Sequence, residues 1–134
     1  MPWTYEQQSG RLLLNSQLIG TGYSGGDDGK NNPAMQAVKD VGPIPQGSWT
    51  IVGPPYSAAQ GPYVLRLQPV DGTNTFGRDG FLMHGDSKDH PGCASEGCII
   101  MPFDVRVKVW SSGDTDLEVV AAAEIEDLEP AAIA

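Results

Sequence analysis

The sequence predicts a mainly β domain, a sandwich or barrel with one or two short helices, and three observations lead there. Gly 17 and Pro 11 in 134 residues is about twice ordinary usage, without a collagen-like period. Much of the chain is therefore turn, which excludes a helical bundle. Between the turns lie short β-branched and aromatic runs such as Ser48-Trp49-Thr50-Ile51-Val52, the composition that fits a pleated, half-buried surface. The length and the 40% hydrophobic content suit a single domain that buries a sufficient core without disulfides or metal.

The elements follow in chain order. Arg11-Leu12-Leu13-Leu14 and Gln17-Leu18-Ile19-Gly20 flank Asn15-Ser16 and read as a hairpin. Residues 20–33 hold five glycines, two aspartates and two asparagines, a loop composition. Residues 34–40 permit two helical turns at most. Gly42-Pro43-Ile44-Pro45-Gln46-Gly47 is a rigid turn, because proline fixes φ and glycine supplies positive values. Ser48–Val52 is a strand that Gly53-Pro54-Pro55 should stop. Tyr63–Leu67 and Phe81–His84 are further strands, and Cys98–Met101 is a fourth or a buried turn. Residues 103–110 are ambiguous. Val105, Val107 and Val109 alternate as in a strand, while Pro102 suits the start of a helix. Leu117–Val120 reads as a closing strand. The expected division is a domain over 1–120 and an acidic, alanine-rich tail over 121–134, a short helix or frayed.

The formal charge of −9 is uneven. Asp114, Asp116, Glu118, Glu124, Glu126, Asp127 and Glu129 crowd the C-terminal end, which has no Lys or Arg after Lys108. The body is nearly neutral and shows no basic face, which argues against a nucleic-acid partner. No apolar run is long enough for a spanning helix. The start, Met1-Pro2-Trp3-Thr4-Tyr5-Glu6-Gln7, has no basic or apolar segment, so no signal peptide is expected.

The chemistry concentrates in residues 81–102. Both histidines and both cysteines fall there, at His84, His90, Cys93 and Cys98. One reading is a tetrahedral zinc site built from these four, although the spacing matches no common finger or ribbon. A second is a Cys93–Cys98 disulfide, or two buried thiols, beside incidental histidines. The third is a Cys–His pair. His84 ends an apolar strand, and Cys98 follows the Gly97 turn. Adjacent strand ends could join them, so that an imidazole activates a thiol.

His84-Gly85, with Ser95-x-Gly97-Cys98-Ile99 following at fourteen residues from His84 to Cys98, resembles the active-site motif of the L,D-transpeptidase (YkuD-like) superfamily. Gly42-Pro43-Ile44-Pro45-x-Gly47-x-Trp49-x-Ile51 is similar to that superfamily's upstream strand entry. With Gly22-Tyr23-Ser24-Gly25 and Lys30-Asn31-Asn32-Pro33, the chain resembles the branch delivered by type VI secretion, over roughly residues 3–120.

The resemblance implies an L,D-transpeptidase-like β-sandwich or barrel and cysteine acyl transfer on peptidoglycan stems without a cofactor. Cys98 would be the nucleophile and His84 its base. Gly85 would orient the imidazole through its carbonyl, and backbone N–H groups near Gly97 and Cys98 would form the oxyanion hole, with Ser95 in the same motif. A short helix would follow the cysteine loop. Glu96 stands where the common motif has a second histidine, and Ile100 where it has an arginine. Substrate contacts then fall to Arg78 or Arg106, with Tyr23 and His90 beside the cleft. A periplasmic substrate without a signal peptide implies synthesis in the cytoplasm and specialised delivery into a target cell's periplasm. The implied partners are the secretion apparatus and an immunity protein. A non-catalytic wall-binding module and a zinc protein are the alternatives. Trp3, Trp49 and Trp110 are expected in the core, and Asp27-Asp28 in a solvated turn.

Overall fold

The computed structural model describes residues 2–122. Nine strands form one sheet: β1 (Trp3–Glu6), β2 (Arg11–Leu14), β3 (Gln17–Thr21), β4 (Tyr23–Ser24), β5 (Gly47–Ala58), β6 (Gly61–Pro69), β7 (Leu82–His84), β8 (Ile99–Ile100) and β9 (Asp116–Val120). Helix α1 (Phe103–Ser111) precedes β9, and short 3-10 turns lie at Asp27–Gly29 and Pro33–Met35. The spatial order is β3-β2-β1-β9-β5-β6-β7-β8-β4.

That order decides between sandwich and barrel. The two outermost strands, β3 and β4, are separated in sequence only by Gly22, so the sheet must roll until its edges meet. The seam is tight. Gly22 N–H donates to the Gly10 carbonyl at 2.8 Å, and a Cβ at Gly22 would lie 1.7 Å from the Ile100 carbonyl oxygen. No side chain fits there. Inside the roll, alternate strand residues Trp3, Tyr5, Leu12, Trp49, Ile51, Leu65, Met83, Ile99, Leu117 and Val119 build the core, as the period of two requires. Trp49 and Phe81 meet edge to face at 5.0 Å.

Several elements stand as the sequence predicts. The β2–β3 hairpin turns through Asn15 and Ser16, both at positive φ, the geometry that matches strand twist. The ambiguity at 103–110 resolves to helix, with Val105 and Val109 four residues apart in the core and Val107 only partly buried. Trp3 and Trp49 are buried, while Trp110 is partly buried against the core beside Gly53.

Others differ. The strand at Ser48 is not stopped by Gly53-Pro54-Pro55 but runs on to Ala58. The ladder to β9 covers only Gly47–Thr50, and that to β6 skips from Val52 to Tyr56. The prolines therefore sit where no ladder N–H is demanded. β1, unmarked in the sequence, pairs with both β2 and β9. β9 is last in the chain yet central, parallel to β1 and antiparallel to β5. The tail expected over 121–134 lies, beyond residue 122, outside the described residues.

Candidate active site

β7 and β8 run parallel, with Met83 opposite Ile99 and His84 opposite Ile100. Met83 and Ile99 enter the core. Strand alternation therefore gives Leu82 and His84 on β7, and Ile100 on β8, to the opposite face, and Cys98 immediately precedes β8. Cys98 stands level with Leu82, one alternate step short of His84. His84 is 3% exposed, and its Nδ1 lies 2.8 Å from the Gly85 carbonyl. A carbonyl only accepts, so Nδ1 carries the proton and Nε2 is the basic nitrogen of the neutral ring. Burial lowers the pKa of His84; the Gly85 contact opposes this, and the Arg106 charge lowers it further.

Cys98 is partly buried, and burial is the largest cause of its raised pKa. The Leu82 amide opposes that shift and the Glu96 charge adds to it. At rest, both the thiol and the imidazole are thus neutral. The sulfur lies 3.9 Å from the Gly80 carbonyl. The fold brings His84, the last residue of β7, and Cys98, the residue before β8, to a pair of neighbouring strands, without a hydrogen bond between them.

The loop ahead of Cys98 is held from three sides. Ser95 is 4% exposed. Its Oγ accepts from the Gly25 N–H at 2.9 Å and the Gly97 N–H at 3.0 Å, and donates to the Cys98 carbonyl at 2.6 Å. Ser24 Oγ donates to the Gly97 carbonyl at 3.0 Å and accepts from Ile44 N–H at 2.9 Å. Arg78 donates to the carbonyls of Gln36, Pro43, Gly42 and Glu96 at 2.6–3.2 Å. Gly97 adopts φ +139, and a Cβ there would sit 2.4 Å from Arg78 Nη2. Sequence reasoning missed Ser24 as a support, although it lies within the Gly22–Gly25 stretch. It also placed Arg78 toward substrate, whereas both terminal nitrogens of the guanidinium are engaged by the loops it joins.

A cavity of about 990 Å³ opens beside His84, walled in part by Tyr23, Asp86, Ile100, Phe103 and Arg106. Cys98 is not among its lining residues. Tyr23 OH donates to Asp86 Oδ1 at 2.6 Å and accepts from Ala94 N–H at 2.8 Å. Burial first, then Asp86, pushes its pKa up to about 12, so it remains a donor. Arg106 is 5% exposed and binds the carbonyls of Met101, Pro62 and Tyr63. Asp86 also accepts from the Ser87 and Gly92 N–H groups, which folds the 85–94 loop over the cavity edge. Cys93 is exposed on that loop, as is His90, and both cysteines are free. Among the described residues no three His, Cys, Asp or Glu side chains converge as metal ligands would. His84, His90, Cys93 and Cys98 therefore do not form the four-ligand zinc site.

Among the described residues no helix is long and apolar enough to cross a membrane. Residues 19–121, well over half the chain, match the family model of the Tlde1 domain. No curated protein matches the chain.

Proposed function

The chain belongs to the Tlde1 domain family of type VI secretion effectors, and from that premise we propose that it is a cysteine acyl-transfer enzyme acting on peptidoglycan peptide stems. The observation that carries this reading is the parallel β7–β8 pair. It ends in His84 on one strand and begins directly after Cys98 on the other, with the imidazole tied through Nδ1 to the Gly85 carbonyl and Nε2 left as base.

The chemistry follows from those positions. Rotation of the Cys98 side chain takes the sulfur from the Gly80 carbonyl toward His84. Nε2 accepts the thiol proton as sulfur attacks the carbonyl that precedes the terminal D-alanine. The Gly97 N–H is engaged by Ser95 Oγ, so the oxyanion donor is assigned to the Cys98 N–H. Such donors contribute about 2.7–4 kcal/mol each where they have been removed. The C–N bond breaks, His84 returns its proton to the leaving amine, and a thioester remains. Water then yields a tripeptide stem, while an amine yields an exchanged or crosslinked stem, with His84 again as base. No cofactor enters these steps. Ser95 and Gly97 set the nucleophile's loop, and Tyr23 and His90 flank the substrate path.

The site of action is the periplasm of a target cell, reached by the secretion apparatus. The producing cell then requires an immunity protein, for which the acidic C-terminal strip is a contact surface. The catalytic domain is assigned to residues 1–120 and the acidic, alanine-rich tail to 121–134, and the strip at 114–129 spans their boundary.

The test is the mass of products from purified tetrapeptide muropeptides. Tripeptide is expected, and an excess of a second D-amino acid diverts it to the exchanged stem. Cys98→Ala should abolish both products, and a chelator should change neither. Binding without turnover would identify a wall-binding module. Cleavage in the glycan strand, or at the amide joining stem to sugar, would overturn the assignment.

A further inference from the structure

We propose that Arg106 binds the free C-terminal carboxylate of the D-amino acid being released or exchanged, so that the site acts on stem ends and not on crosslinks; this rests on the acyl-transfer reading above.

Both internal arginines are candidates for such a contact, and the structure separates them. Arg78 is engaged at both terminal nitrogens, with Nη1 on the carbonyls of Gln36 and Pro43, and Nη2 on those of Gly42 and Glu96. Arg106 is not. Its Nε donates to Met101 O at 3.1 Å, and its Nη1 to Pro62 O at 2.7 Å and Tyr63 O at 2.9 Å. Nη2 has no acceptor among the described residues. A Cβ built on Gly85 would meet Nη2 at 2.8 Å, which places this nitrogen directly over the residue after His84, at the cavity wall. No described carboxylate pairs with the guanidinium, and burial lowers its pKa with no acidic group opposing. A buried cation without a counter-anion, with a donor free beside an open cavity, is a receptor for an anion.

Bond lengths identify which anion. The leaving nitrogen must sit at His84 to receive its proton. In a C-terminal amino acid the carboxylate carbon is two bonds from that nitrogen, about 2.5 Å away. A carboxylate so close to His84 falls beside Gly85, where Nη2 is. The carboxylate at the far end of a diaminopimelate side chain is several bonds further off. In a crosslink the terminal carboxylate is an amide, which offers no charge to the guanidinium. The same contact would seat an incoming free D-amino acid, making exchange the reverse of release at one subsite.

The experiment compares a tetrapeptide stem with its C-terminal carboxamide, using the whole protein. The acid should be turned over to tripeptide with kcat/KM about tenfold to a hundredfold above that of the amide, the range of a charge-assisted hydrogen bond. Arg106→Gln should bring the acid-over-amide ratio of kcat/KM close to one, whatever it does to turnover of the amide itself. If glutamine at this position does not fold, Arg106→Lys should still reduce the acid-over-amide ratio several-fold, because the shorter side chain loses the fork. Equal turnover of acid and amide by the native protein, or an unchanged ratio in a folded variant, would overturn the carboxylate assignment while acyl transfer stands. Tripeptide from neither substrate would overturn both.

Discussion

At Cys98 and His84 burial acts on both partners in the direction of neutrality. It raises the thiol and lowers the imidazole, so the resting pair is thiol and free base, not thiolate and imidazolium. This differs from cysteine sites in which a cationic neighbour depresses the thiol, and it has a testable pH signature. A lowered histidine pKa keeps the base neutral until the pH falls below the usual 6.5. The acidic limb of kcat/KM should therefore lie below 6.5, with activity retained across neutral pH. In a Cys93→Ser background, alkylation of Cys98 should rise only on the alkaline side of an ordinary cysteine; a plateau at neutral pH would contradict the neutral pair. Arg106 contributes to the lowered His84 value, so Arg106→Gln should move the His84 titration upward when followed by NMR. The exposed Cys93 should label faster than Cys98 in the resting protein.

Among elements, the loop before β8 and the seam at Gly22 carry the sharpest constraints. Arg78 bridges the Gln36–Pro43 loop to Glu96 with four hydrogen bonds. Removing it leaves buried carbonyls unsatisfied, at about 1–3 kcal/mol for each. Arg78→Met should lower the unfolding temperature and slow turnover, because the cysteine loop loses its anchor. Gly97→Ala combines a disfavoured φ with a clash on Arg78 and Phe81, and should cost about 1–3 kcal/mol by chemical denaturation. Gly22→Ala meets backbone on the Ile100 side, which cannot give as a side chain can, so it should destabilise at least as much. The Tyr23–Asp86 clasp adds a pH term. Partial burial opposes ionisation of Asp86, but hydrogen bonds from Tyr23, Gly92 and Ser87 outweigh it and hold the pKa below 3.8. The clasp's contribution is complete above the unfolded carboxylate's pKa and is lost as pH falls through the lowered value. Asp86→Asn should remove that acid dependence.

At the scale of the whole molecule, the proposed domain of residues 1–120 has its last described strand, β9, followed by Gln8 N–H on the Ala121 carbonyl. A chain truncated after residue 122 should keep its unfolding temperature and its turnover. A loss of either would place the acidic tail within the domain. Much of this architecture was legible in residue order. The Asn15-Ser16 hairpin, the strands at Trp49, Tyr63 and Met83, and the nearness of His84 and Cys98 in the chain all rest on local composition and spacing. β1 was not, because Trp3–Glu6 acquires its partners from β2 and from β9, more than a hundred residues away. The central place of β9 and the rolled sheet were hidden for the same reason, since pairing between distant strands leaves no local pattern. The sequence by itself determined that both histidines and both cysteines cluster in one short stretch and that the frame around them is β. Tertiary structure decided which bonding capacities are used: it engaged both terminal nitrogens of Arg78 with carbonyls, left one nitrogen of Arg106 without an acceptor among the described residues, and held the cysteine loop with Ser24. Side-chain identity supplies a capacity to bond, and only the distance to partners from elsewhere in the chain decides whether that capacity is already used.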